Sequence, residues 1–187
     1  MGLDDVAIEK LRTRARREVD EGLLPSCQFA LGYQGELVVS ETYGDATDAT
    51  RYVVYSSTKP FVAGAMWALI GDDLVDVSKR VVDYVPEFGM NGKDVITVEQ
   101  VMLHTSGFPG APLGVLNGAT SDGRCAAFSR WRCNWEPGSK FEYHPSSAHW
   151  VLAEIIERVT GCDFRDVVMD RVTTPAGLPK VLGPLPY

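Results

Sequence analysis

Between residues 6 and 23 apolar side chains return at Ile8, Leu11, Ala15 and Val19, in steps of three and four among charged positions. That period predicts an amphipathic helix. After Pro25 the pattern changes: residues 27–33 and 36–43 are rich in β-forming side chains and flank Gln34-Gly35, which predicts a hairpin with a tight turn. Residues 45–50 form a polar loop, and the short β-branched run 51–55 reads as a strand entering Ser56-Ser57-Thr58-Lys59 and an apolar helix that ends near Gly71. Thr97-Val98-Glu99-Gln100 is a capping box opening a short helix that stops before Ser106-Gly107.

Residues 105–123 are rich in Gly, Pro, Ala and Ser and read as a long loop, of the kind that borders a cleft. Glu136-Pro137-Gly138 marks a turn. From Pro145 onward Leu152, Ile155, Ile156 and Val159 keep helical spacing up to Gly161, a C-terminal cap, and Asp163 opens a last helix reaching about Val172. No internal repeat or linker divides the chain, so residues 1–187 are expected to belong to one domain.

Charge and cysteines narrow the function classes. A formal charge of −7, a sequence pI near 4.9 and no basic stripe argue against nucleic acid or an anionic membrane as partner. The longest apolar run, residues 61–70, falls short of the roughly 20 residues a spanning helix needs. The first twenty residues lack the apolar stretch of a signal peptide, so a cytoplasmic location is expected. Cys27, Cys125, Cys133 and Cys162 match no zinc-knuckle spacing and read as reduced thiols. His104, His144 and His149 lack the spacing of paired metal ligands on one helix face, so neither a metal nor another cofactor is expected.

The chemistry centres on Ser56 and Lys59. Residues three apart at a helix start face one another, so hydroxyl and amine can touch. A serine hydroxyl becomes a nucleophile when a neighbour takes its proton, and a lysine does so where apolar surroundings keep it partly neutral. Phe61, Val62, Met66 and Trp67 follow and are expected to supply those surroundings. Free amides at the helix mouth, including that of Ser56, would face a developing oxyanion. Against this stands a plainer reading in which Ser56 caps a helix and Lys59 is a solvated first-turn residue.

Residues 54–70, Asp83-Tyr84-Val85-Pro86-Glu87-Phe88, Leu103-His104-Thr105-Ser106-Gly107, Glu136-Pro137-Gly138 and residues 141–161 occur in an order that resembles the serine β-lactamase and penicillin-binding superfamily, closest to the class C-like branch with its β-lactamase-fold esterases. The resemblance implies an α/β (α+β) fold, an antiparallel sheet flanked by helices beside a mostly helical region. By position it makes Ser56 the acylated nucleophile, Lys59 its lysine and Tyr143 the tyrosine of the second motif. His144 and Trp135 enter as candidate substrate contacts, although capping is the expected role of His144, and Trp131 and Trp135 fit a core as well as a cleft wall. The Leu103–Gly107 block is given a scaffold role, and His149 is expected to be a packing or surface residue.

Two departures from the family pattern bear on substrate and completeness. Where the second motif has Tyr-x-Asn, this chain reads Tyr143-His144-Pro145, and proline offers no amide to hold an acylamino side chain. Esters are therefore favoured over amides, with β-lactam or D-amino-peptide hydrolysis as the alternative and a non-catalytic scaffold as the third reading. The third motif, Lys or His followed by Thr or Ser and then Gly, does not occur among the 187 residues. The expectation is an N-terminal portion of one catalytic domain, completed by a complementary C-terminal polypeptide that supplies the remaining strands.

Overall fold

The computed structural model describes residues 2–114 and 117–183, and their contacts divide the chain into two compact units, residues 1–53 and 54–187. The first unit is a helix and a hairpin. Helix α1 (Asp5–Asp20) starts where the Asp4 carboxylate accepts from the amides of Val6 and Ala7. Strands β1 (Ser26–Tyr33) and β2 (Glu36–Gly44) pair antiparallel, with Leu31 opposite Val39 and a bulge between Leu31 and Gly32. Gln34 and Gly35 both take positive φ, 51° and 85°, the backbone a two-residue hairpin turn requires. Gly44 cannot be replaced freely, because a Cβ there would stand 2.2 Å from the Pro25 carbonyl oxygen.

Helix α1 lies against the hairpin face that carries Glu41 and Tyr43. Arg12 pairs with Glu41 at 2.7 Å, and the Arg16 guanidinium sits 4.8 Å over the Tyr43 ring. Little of this unit is sealed from water: Val39 and Tyr43 are buried, while Ile8, Ala15 and Val19 are only half-buried.

The second unit holds the hydrophobic core. Helix α2 (Lys59–Gly71) and helix α5 (Ser147–Thr160) pack together through Val62, Ala65, Met66 and Leu69 on one side and Val151, Leu152, Ile155 and Ile156 on the other. Helix α3 (Val98–Met102) opens with the expected capping box, the Gln100 amide donating to Thr97 Oγ1 at 3.2 Å and the Thr97 amide to Gln100 Oε1 at 3.1 Å. Phe88, Phe108, Phe128 and Trp131 form an aromatic cluster with edge-to-face and tilted contacts of 4.8–6.0 Å between ring centres. Gly161 ends α5 in a left-handed conformation, and Asp163 caps α6 (Phe164–Val168), which continues as a wider turn through Thr173.

Buried charges in this unit are fully partnered. Glu154 receives Arg124 at 2.7 Å, Arg158 at 2.8 Å and the Ser121 hydroxyl at 2.6 Å. The Lys93 ammonium donates to the carbonyls of Met90 and Trp131, which answers the desolvation that draws its pKa down.

Three expectations are corrected. Residues 51–54 form no strand; Val53 is 79% exposed, and a β-branched run becomes a strand only with a neighbour to pair with. The loop 105–123 is interrupted by a turn at Asn117–Ala119, and helix α4 (Ser121–Phe128) begins inside it, capped by Thr120 Oγ1 accepting from the Gly123 amide. Helix α5 begins at Ser147, after Ser146, and not at Pro145. The four cysteines are free thiols, and no described helix is long and apolar enough to cross a membrane.

Candidate active site

The backbone bends sharply before Ser56. Tyr55 has φ of 45°, unusual for a bulky residue, and opens a single 3-10 turn, Tyr55–Thr58, that leads into α2. Ser56 is therefore held at the exposed mouth of an apolar helix, with Lys59 as that helix's first residue. From this base Lys59 Nζ donates to Ser56 Oγ at 2.9 Å. Tyr143, on the irregular segment that precedes α5, donates its hydroxyl to the same Oγ at 2.8 Å.

Ser56, Lys59 and Tyr143 thus converge on one oxygen, although 87 residues separate the serine from the tyrosine. Hydrogen bonding with Lys59, then with Ser56, and the nearby ammonium charge hold the Tyr143 phenol below its ordinary pKa, against the opposing effect of desolvation. The Lys59 ammonium also stands 5.0 Å from the centre of the Tyr143 ring. Val62 and Met66 are buried in the core, whereas Trp67 is 71% exposed and belongs to the outer face of α2.

The other sequence-derived candidates lie behind the triad. His144 is fully buried: its Nδ1 donates to the Glu142 carbonyl at 2.6 Å, and its Nε2 accepts from the Phe108 amide at 3.2 Å with the Ser106 hydroxyl 3.1 Å away. It neither caps α5 nor presents an atom to solvent, in contrast to the contact and capping roles expected of it. Trp135 is half-buried, its ring 6.3 Å from that of His144 and covered by the Lys140 ammonium at 4.6 Å. His149 lies against Lys59, and burial together with the charges of Lys59 and His104 pushes its pKa down to about 4. A cavity of about 500 Å³ opens beside it, walled by Thr58, Val62, Leu113, Trp150, Ala153 and Phe164.

What the sequence did not disclose is that all three histidines meet here. The His104 ring lies 5.1 Å from Tyr143, 5.6 Å from His144 and 6.1 Å from His149. The scaffold role expected of residues 103–107 has a concrete form. The amides of Asn134, Gly138 and Glu142 donate in turn to the carbonyls of Gly107, Thr105 and His104, at 2.7, 2.9 and 3.1 Å. Gly107, with φ of 91°, permits this pairing, since a Cβ would stand 2.7 Å from the Trp135 carbonyl oxygen.

The Beta-lactamase family model matches residues 11–181, nearly the whole chain. The chain belongs to that family. Among relatives in the beta-lactamase family, it is 30% identical over 127 residues to the "Esterase/beta-lactamase LipL" of Mycobacterium tuberculosis, an overlap of 66% of this chain and 29% of that protein. It also superimposes on a family VIII carboxylesterase with a TM-score of 0.76 and 28% identity, covering 95% of this chain and 51% of the other. A D-stereospecific amidohydrolase from Streptomyces shares the fold, with a TM-score of 0.72 at 21% identity, covering 88% and 53%. The chain therefore spans about half the length, or less, of these proteins. The fold is β-lactamase-like, and the relatives and neighbours are hydrolases of that fold.

Proposed function

We propose that the chain carries the nucleophile, lysine and tyrosine of a serine hydrolase that cleaves carboxylic esters through an acyl-enzyme on Ser56. The observation that carries this reading is the convergence of Lys59 Nζ and Tyr143 OH on Ser56 Oγ, at 2.9 and 2.8 Å. Tyr143, its pKa depressed beside the Lys59 ammonium, is the base: as phenolate it takes the Ser56 proton while Oγ adds to the ester carbonyl. Collapse of the tetrahedral adduct breaks the carbon–oxygen bond to the alcohol, which leaves with the proton returned from Tyr143. Water then adds to the acyl-enzyme and gives its proton to Tyr143; collapse of this second adduct breaks the bond to Ser56 Oγ, which takes that proton back, leaving the acid, the free hydroxyl and the phenolate. In this reading the Ser56 backbone amide, at the mouth of α2, stabilises the oxyanion in both halves.

Esters are favoured over amides because Pro145 stands where an amide side chain would hold an acylamino group, and because the cavity beside His149 is walled mainly by apolar side chains. The name of the carboxylesterase neighbour supports this preference, while that of the LipL relative names both activities. A second part of the proposal concerns completion. The described sheet has two strands, the matched proteins are about twice as long or more, and the third family motif is absent from the sequence, so full turnover requires a polypeptide supplying further strands and a second oxyanion donor.

Fluorophosphonate labelling of the protein as isolated from its source, compared with Ser56→Ala, tests the nucleophile; an adduct that survives the substitution overturns it. Turnover of a short-chain nitrophenyl ester against a chromogenic cephalosporin tests the substrate class, and faster cephalosporin hydrolysis reverses the preference. Equal activity per mole of the isolated 187-residue chain and of the source protein removes the completion claim.

A further inference from the structure

Helix α3 ends in a way that its sequence does not favour. The Thr105 amide donates to the Gln100 carbonyl at 2.9 Å and the His104 amide to the Val101 carbonyl at 3.3 Å, the paired bonds of a Schellman motif. Its left-handed residue, the one ordinarily supplied by glycine, is His104, with φ of 58°. An imidazole at this position costs about 1 kcal/mol or more relative to glycine. A strained residue beside a reactive centre invites the question of what its side chain does there.

Its contacts answer. The His104 carbonyl accepts from the Glu142 amide at 3.1 Å, and its Nδ1 accepts from the His144 amide at 3.0 Å. These two amides bracket Tyr143 in the chain, and the imidazole ring lies 5.1 Å from the Tyr143 ring. Tyr143 is itself 44% exposed and sits on a segment without regular structure, so neither burial nor a helix fixes its hydroxyl. We propose that His104 is the positioning residue for Tyr143, holding the phenol on Ser56 Oγ by clamping the amide on either side of it, with Nδ1 free of a proton so that it can accept. The catalytic part of this proposal rests on the function proposed above.

The clamp is specific as to tautomer. Neutral His104 must carry its proton on Nε2, whereas His144, which donates from Nδ1 to Glu142 and accepts at Nε2, must carry the opposite tautomer. The charged and titratable groups around the His104 ring are Lys59 from α2, Tyr143 and His144 from the segment before α5, and His149 from α5 itself. Burial first, then His144 and Lys59, lower the His104 pKa, which keeps the accepting form at neutral pH. With a depressed folded-state value, the clamp is intact above the ordinary histidine range and is lost as pH falls through the lowered value.

Two substitutions suit the left-handed position and separate the roles. His104→Gly relieves the helix end and removes the acceptor, while His104→Asn tolerates the same φ and restores an acceptor oxygen. In the source protein, His104→Gly is expected to lower kcat for a nitrophenyl ester about 100-fold with KM little changed, the scale of loss for a misplaced catalytic group. His104→Asn is expected to recover to within about 10-fold of the parent, because it restores the missing contact. A Gly variant as fast as the parent, or an Asn variant as slow as the Gly variant, overturns the proposal. Nitrogen-15 spectra of the unsubstituted protein at neutral pH test the clamp without any variant: a bare Nδ1 on His104 beside a protonated Nδ1 on His144 supports it, and a proton on His104 Nδ1 refutes it. Absence of Ser56 labelling in the parent would instead defeat the proposed function while leaving the tautomer result to stand or fall alone.

Discussion

The two compact units solve the problem of stability differently. In the first, a helix and a hairpin bury Val39 and Tyr43, and much of the contact between them is surface charge, such as Arg12 with Glu41. In the second, Phe88, Phe108, Phe128, Met66 and Ile155 are wholly sealed, and even the buried Glu154 is met by Arg124, Arg158 and the Ser121 hydroxyl. Surface ion pairs contribute little and a lone hairpin is marginal in water, whereas a packed core fixes side chains to fractions of an ångström. The candidate triad is built on the second kind of scaffold. Three groups that must meet on a single oxygen are set by α2 and by a segment tied to the end of α3, where a shift of about 1 Å would separate them.

The sharpest way to test that division is to remove chemistry without touching packing. Ser56 is exposed, so Ser56→Ala should leave the unfolding midpoint unchanged while acylation falls by about 10⁴-fold or more. Labelling kinetics and a denaturation curve on the same variant check both halves. A large loss of stability would mean that the hydroxyl also serves the fold.

The converse variant is Phe88→Ala. Its ring is fully buried between Phe108 and Phe128, and its removal should cost about 3–5 kcal/mol of stability by denaturant titration. A cost below about 1 kcal/mol would show that the aromatic cluster is loosely packed and that the contrast between the units is overstated.

Acid gives a third handle, and the sign follows from burial. His149 sits neutral in the second unit with its pKa lowered from 6.5 to about 4. The unfolded chain therefore binds a proton that the folded one refuses, and stability falls as pH drops from about 6.5 to 4. Proton uptake on unfolding, measured across that window, should shrink when His149 is replaced by Phe. Uptake that does not change would place the titration elsewhere.

Much of this organisation was legible in the sequence, and the reasons are local. Helix α1, the hairpin around Gln34-Gly35, the box at Thr97 and the stop at Gly161 depend on periods and turn residues within a few positions of one another. Ser56 and Lys59 were legible for the same reason. Helix α4 was hidden because Gly123 and a polar start imitate a loop, and residues 51–54 were misread because β propensity says nothing of whether a pairing partner exists. Tyr143 was reached only through resemblance to a family, since no local rule links it to Ser56. The histidine cluster had almost no signal: His104 meets residues 40 and 45 positions away because the end of α3 packs on the segment before α5 and on α5 itself. The one available hint was a histidine at a helix end where glycine is usual.

The smallest expected effect tests the first unit from its own side. Leu37 is 66% exposed on β2, so Leu37→Thr removes an apolar side chain that the folded chain barely shelters and puts a β-branched residue, which suits a strand, in its place. Its stability should change by less than about 0.5 kcal/mol, far from the cost at Phe88, because little apolar area is returned to water. Hydrogen exchange of the β1 and β2 amides, read alongside the denaturation curve, reports on this unit locally and so guards against a global transition dominated by the second unit. A loss above about 1 kcal/mol would show that Leu37 is covered in the working protein, as the proposed completing strands would require, and the sparse burial of the first unit would then be a property of this chain alone.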